Sequence, residues 1–187
     1  MANTLLVIGI HREELGFSRA VAAAIDRSCI DVLEIPEGLP GRHPRADERF
    51  RHEMLHRALY LQLLPHMHKY RLLIDLHTGI DENGPGVDLY SHEPDRISPC
   101  VRGLPAPGPG QAGRQSPRLI QLGDATGRFP PGKTVIPREV WLAGDCLYVG
   151  MEVYLKKVGA GETAEHRYAR ELIEALAHAV QPAAWGT

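Results

Sequence analysis

Apolar residues recur in two rhythms that alternate along the first half of this chain. Leu5-Leu6-Val7-Ile8-Gly9-Ile10, Asp31-Val32-Leu33-Glu34-Ile35-Pro36 and the stretch from Arg71 to His77 are short, mostly apolar runs that predict strands; proline stops the second. Between the first two, Phe17, Ala20, Val21 and Ala24 fall at helical spacing and predict a helix over residues 14 to about 26. A longer helix is expected from Asp47 to Leu64, with Phe50, Met54, Ala58 and Leu61 as its buried stripe and Pro65 as its end. Strand, helix, strand, helix, strand is the order of an α/β fold. The expectation is a three-layer αβα sandwich around a central mixed, mostly parallel sheet.

The second half is less regular. Gly86-Val87-Asp88-Leu89-Tyr90 predicts a fourth strand, and strand-like runs return at Leu119-Ile120-Gln121-Leu122, Lys133-Thr134-Val135-Ile136 and Cys146 to Tyr154. A closing helix is expected from Thr163 to Val180, with Ala169, Leu172, Ile173, Leu176 and Val180 facing the core. From Ser98 to Gln115, glycine and proline crowd the sequence and predict a long loop, either a flap near a site or a solvated excursion. No repeat or boundary divides the 187 residues, so one compact domain over 1–187 is expected.

Composition narrows the function classes. Apolar residues make up 43% and charged residues 24%, which argues against a disordered or fibrous chain. A formal net charge of −2 gives no basis for nucleic-acid or anionic-membrane partners. Cys29, Cys100 and Cys146 are odd in number and form no CxxC pair, which favours a reducing compartment over a disulfide framework. The start, Met1-Ala2-Asn3-Thr4, lacks the features of a signal peptide, and no segment has the length of a membrane span. A soluble cytoplasmic protein is expected, with self-association left open.

Chemistry concentrates in three residues. His11 and Glu14 directly follow the first apolar run, and His77 closes the third. In an open α/β sheet, groups at the carboxyl ends of neighbouring strands converge on one crevice. Two imidazoles and one carboxylate form a zinc-binding set with a fourth position free for water. Alternation along the third strand puts Asp75 on the same side as His77, where it can receive the other ring N–H of a ligand histidine. His66 and His68 form an H-x-H that reads as a surface loop, and His43, His52, His56, His92, His166 and His178 have no partner at ligand spacing.

Three segments carry a family resemblance. Gly9-Ile10-His11-Arg12-Glu13-Glu14-Leu15-Gly16, Ile74-Asp75-Leu76-His77 and Gly150-Met151-Glu152-Val153 resemble the motifs of the succinylglutamate desuccinylase/aspartoacylase family, which belongs with the zinc carboxypeptidases. The resemblance implies a zinc-carboxypeptidase-like fold and one zinc per chain held by His11, Glu14 and His77, with Glu152 as general base. Zinc lowers the pKa of bound water to about 7, and a glutamate beside it can carry the proton to the leaving nitrogen. Alternation alone also allows Glu152 to face solvent on a half-buried strand. Asp47-Glu48-Arg49-Phe50 resembles the family's substrate-binding segment and nominates Arg49, with Glu48 where the family has asparagine. Arg42 or Arg45 is implied as the oxyanion-stabilising arginine, and Arg138 as a further substrate-binding one; each also reads as a solvated surface residue.

Two departures bear on substrate. Arg12 and Glu13 stand where the family has Gly-Asn, which predicts bulk and charge beside the metal. The carboxy-terminal β domain of many members is expected to be absent, leaving a more open site. The resulting expectation is a zinc hydrolase acting on an amide bond of a small acylated amino acid or peptide. A carboxypeptidase-like metallopeptidase and an inactive, anion-binding member are the alternatives. A nucleotide binder is disfavoured because no Gly-rich fingerprint follows the first strand.

Overall fold

The computed structural model describes residues 2–40, 44–81, 86–104, 116–124, 127–142, 144–157 and 159–180. Seven strands form one sheet: β1 (Thr4–Ile8), β2 (Ile30–Glu34), β3 (Leu72–Ile80), β4 (Gly86–Ser91), β5 (Arg118–Leu122), β6 (Pro131–Gly132) and β7 (Leu147–Leu155). Their spatial order is β2-β1-β3-β7-β4-β5-β6. Only β4 against β7 is antiparallel; the other pairings are parallel. The expected mixed, mostly parallel sheet is therefore present.

Helices cover both faces. α1 (Leu15–Ala24), α4 (Pro94–Gly103) and α6 (Thr163–Ala179) pack on one side, where Phe17, Ile97 and Leu172 join Leu6, Ile74 and Met151 in the core. α2 (Arg49–Leu61), α3 (Leu64–Met67) and α5 (Arg138–Trp141) lie on the other, where Tyr60, Met67 and Trp141 meet Leu5, Leu73 and Tyr148. Central strands read as continuous apolar runs because both of their faces are covered. Burying each such Leu, Val or Met side chain contributes about 1.5–3 kcal/mol. A capping box between Glu162 and Glu165 starts α6, and all five residues expected on its core face are buried.

Several expectations are corrected. Phe50 is 76% exposed and Met54 54%, whereas His56 and Tyr60 are the buried residues of α2. Hydrophobic periodicity chose the wrong face because the residues that turn inward, His56 and Tyr60, line a cavity and are not aliphatic. Residues 98–103 belong to α4, with Pro99 inside it; Cys100, Val101 and Leu104 pack against the core and outweigh the proline. The rest of that expected loop, 105–115, lies outside the described residues. Lys133 to Ile136 form no strand: Thr134 Oγ1 accepts the Ile136 N–H at 3.0 Å, a local bond that competes with sheet pairing, and Val135 is 76% exposed. Finally, β3 continues past His77 to Ile80, because it pairs with β7 over nine residues.

Candidate metal and catalytic site

The turn after β1 brings the first two residues of the site into place. Gly9 has φ +88°, and a Cβ there would lie 2.7 Å from the Ile35 carbonyl oxygen, so only glycine fits between β1 and the chain leaving β2. His11 follows in extended backbone, and a single 3-10 turn, Arg12–Glu14, leads into α1. That turn buries His11 and Glu14 while Arg12 and Glu13 point outward and are exposed. The expected bulk and charge beside the metal is thus not there: neither Arg12 nor Glu13 lines the cavity.

His77 arrives from β3, and the three meet. His11 and His77 ring centroids are 5.2 Å apart. His77 Nδ1 lies 2.9 Å from Glu14 Oε2, and His11 Nδ1 lies 3.3 Å from Glu14 Oε1. One ligand atom from each of the three falls within 4.8 Å of the others, the one group of this kind among the described residues. His11 Nδ1 is buried and, poorly aligned on Glu14, makes no hydrogen bond there. A buried nitrogen left in this state costs about 1–3 kcal/mol. Two imidazole nitrogens and a carboxylate aimed at one point fit zinc, which would satisfy that nitrogen.

Support comes from Asp75, which is fully buried. Its Oδ2 accepts from His77 Nε2–H at 2.8 Å, from Tyr60 at 2.7 Å and from Tyr148 at 2.9 Å. This fixes the His77 ring with Nδ1 turned to Glu14 and His11. Burial and the Asp75 charge keep both tyrosines protonated donors, well above their ordinary range. Burial opposes charge on Glu14 and His77, but their attraction for one another and for His11 and Asp75 prevails. Glu14 is held well below the usual carboxylate range, and His77 is pushed up to about 10. Without a metal the cluster keeps a proton where a divalent cation would otherwise supply the positive charge.

Glu152 joins from β7. The β3–β7 register sets it directly beside His77, and alternation turns both to the same face. It is half-buried and lines a cavity of about 370 Å³ together with His11, His77, Tyr60, Tyr148 and Gly150. Gly79 leaves it room: a Cβ there would come within 2.9 Å of Glu152 Oε1. On its other side Asp88, in register across β4, is held by Arg118 at 2.6 and 2.7 Å and by the Tyr154 hydroxyl at 2.9 Å.

Of the nominated arginines, the three that are described lie elsewhere. Arg45 and Arg49 are exposed and do not line the cavity. Arg138 is exposed and sits over the Trp141 ring, 5.5 Å from its centroid. Arg42 falls outside the described residues, as does His43. Sequence reasoning missed Tyr60, Tyr148, Lys133 and His56. His56 stacks on His11 with centroids 5.9 Å apart, and burial first, then the His11 charge, pushes it down to about 4. Parity offered one signal: Tyr148 and Gly150 share the face of Glu152.

Comparison with known proteins agrees with this architecture. No family model and no curated protein matches the sequence. Among solved structures, murine aminoacylase 3 superposes over 100% of this chain with TM-score 0.57 at 14% identity. The succinylglutamate desuccinylase of Chromobacterium violaceum does so over 100% with TM-score 0.50 at 16% identity. The fold is that of these two proteins. The ectoine utilization protein EutE (DoeB) of Ruegeria pomeroyi shares it over 94% of this chain, with TM-score 0.50 and 13% identity. This chain spans 66% of the length of aminoacylase 3 and 62% of that desuccinylase. No helix among the described residues is long and apolar enough to cross a membrane.

Proposed function

We propose that this chain is a zinc-dependent hydrolase that cleaves the amide bond of an N-acyl amino acid or a related small amide. One observation carries the reading: His11 and His77 of the His11–Glu14–His77 group line one cavity together with the Glu152 carboxylate, and strand register sets Glu152 beside His77. The fold shared with an aminoacylase and a desuccinylase supports it.

His11, Glu14 and His77 would hold one zinc per chain. When bound, the ion supplies Lewis acidity toward the amide carbonyl and makes water a stronger acid. Asp75 keeps the His77 ring in the ligating orientation through Nε2–H. Glu152, beside His77 on the same face, takes the proton of the attacking water and returns it to the departing amine nitrogen. Half-burial in the cavity wall shields that carboxylate from bulk water and keeps it on the reacting side. The partner is then a small acylated amino acid or peptide rather than nucleic acid or membrane, and the setting is the cytoplasm.

The test is metal analysis followed by a panel of N-acyl amino acids and short peptides. About one zinc per chain is expected, with cleavage of the N-acyl amino acids. Glu152→Gln is expected to retain zinc and lose about 10²–10⁴-fold in kcat, the usual scale for a general base. A zinc-replete Glu152→Gln protein that turns over at the wild-type rate refutes the assignment.

A further inference from the structure

A hydrolase of small N-acyl amino acids must hold a carboxylate, and of the arginines suggested by sequence, Arg45, Arg49 and Arg138 do not line the cavity, while Arg42 lies outside the described residues. Among its described lining residues, one side chain is a permanent cation: Lys133. It leaves the edge strand β6 immediately after Gly132, which packs so closely on the Tyr90 ring that a Cβ there would come within 3.2 Å of it. The following residues, Thr134, Val135 and Ile136, line the same cavity as His11 and His77. The local bond from the Ile136 N–H to Thr134 Oγ1 gives that segment a defined shape.

Other basic groups nearby are committed. Arg118 is paired with Asp88, Arg57 with Glu139 at 2.6 Å, and Arg138 lies on Trp141. Lys133 has no ion-pair partner among the described residues. The rest of the lining is a carboxylate, Glu152, and mostly apolar or aromatic surface: Tyr90, Val135, Ile136 and Met151.

We propose that Lys133 is the specificity-determining residue of this cavity, its ammonium receiving the single carboxylate of the substrate. This rests on the hydrolase reading above. It adds that the substrate is a monoanion with an uncharged body, because a second carboxylate would face Glu152 with no further cation among the described lining residues to match it. Lysine also differs from arginine as a receptor. It offers a compact point charge with three donors on a flexible stem, so it can follow carboxylates of somewhat different reach.

The experiment compares zinc-loaded wild type, Lys133→Met and Lys133→Arg on N-acetyl-L-leucine, N-acetyl-L-leucinamide, N-succinyl-L-leucinamide and N-acetyl-L-aspartate. Wild type is expected to prefer N-acetyl-L-leucine to its amide and to N-acetyl-L-aspartate by at least about 10-fold in kcat/KM. Loss of one charge-assisted hydrogen bond in Lys133→Met should cost about 10–100-fold on the acid, leaving the amide unchanged, while Lys133→Arg keeps most activity. Activity on N-succinyl-L-leucinamide that falls in Lys133→Met places the recognised carboxylate in the acyl group instead; a fall only on N-acetyl-L-leucine places it in the amino acid. Equal losses on acid and amide, or no loss on any acid, overturn the proposal. Should wild type cleave none of them, the hydrolase reading fails. Calorimetric binding of N-acetyl-L-leucine then decides Lys133 separately: binding lost in Lys133→Met supports it, and equal or absent binding overturns it.

Discussion

Tyr148→Phe isolates the hydroxyl that sits behind the metal group. Tyr148 is fully buried, and its ring fills core space that phenylalanine would fill equally, so the substitution removes one hydrogen bond and little packing. That bond goes to Asp75 Oδ2, which also takes Tyr60 and His77, while Asp75 Oδ1 has no hydrogen-bond partner among the described residues. None of those residues offers a spare donor to replace it. A hydrogen bond to a buried charge is worth about 1.5–3 kcal/mol, so the metal-free variant should unfold about 2 kcal/mol more easily in a denaturant titration. Asp75 would then hold its charge less readily and orient His77 less firmly. Loss of such support behind a ligand typically weakens metal binding about 10–100-fold, which a competition titration against a chelator measures. Tyr60→Phe should behave similarly, and the double variant should fall short of the sum, because both hydroxyls serve one oxygen. A Tyr148→Phe protein with zinc affinity within a factor of two of wild type, and unchanged stability, would refute this account of Asp75.

Two further outcomes follow from the site. In the metal-free protein, His56 is depressed to about 4 and His77 raised to about 10, so their contributions run in opposite directions. Below its ordinary value near 6.5 the unfolded chain protonates His56 first, so stability should fall as pH drops from about 6.5 to 4, by about 3 kcal/mol. The His77 contribution is fully present below pH 6.5 and is lost as pH rises toward 10; zinc should abolish that alkaline limb, and thermal unfolding with and without zinc across pH 4–10 shows whether it does. Gly79→Ala places a methyl 2.9 Å from Glu152 Oε1 and 2.7 Å from the Tyr154 ring, forcing one to move. Misplacing a catalytic group by about 1 Å costs about 100-fold, so kcat should fall by that scale with zinc content unchanged, and a full-rate Gly79→Ala enzyme would contradict the placement of Glu152.

The order of the first strands and helices, the αβα layering and the meeting of His11, Glu14 and His77 were legible in the sequence. Each rests on information local to a few residues: continuous apolar runs for strands covered on both faces, the 3.6-residue period of α6, and a histidine or glutamate directly after an apolar run. The contact of Asp75 with His77 was legible for the same reason, since parity along one strand fixes which side chains share a face. Residue pattern failed on α2, where Phe50 and Met54 face outward while His56 and Tyr60 turn in. It failed again at Pro99, held in a helix by the core contacts of its neighbours, and at Lys133 to Ile136, shaped by a local hydroxyl bond.

By itself, then, the chain determined which segments fold, in what order, and which side chains are capable of gripping a metal, because propensity and periodicity act over one element at a time. Which strand lies beside which was decided only in three dimensions. The β3–β7 register places Glu152 next to His77, the packing of α2 turns Tyr60 and His56 toward the metal group, and the excursion after β6 brings Lys133 to the cavity wall. The physical reason is that strand pairing and helix docking are settled by burial summed over the whole core. No local pattern reports which distant residues that sum will bring face to face.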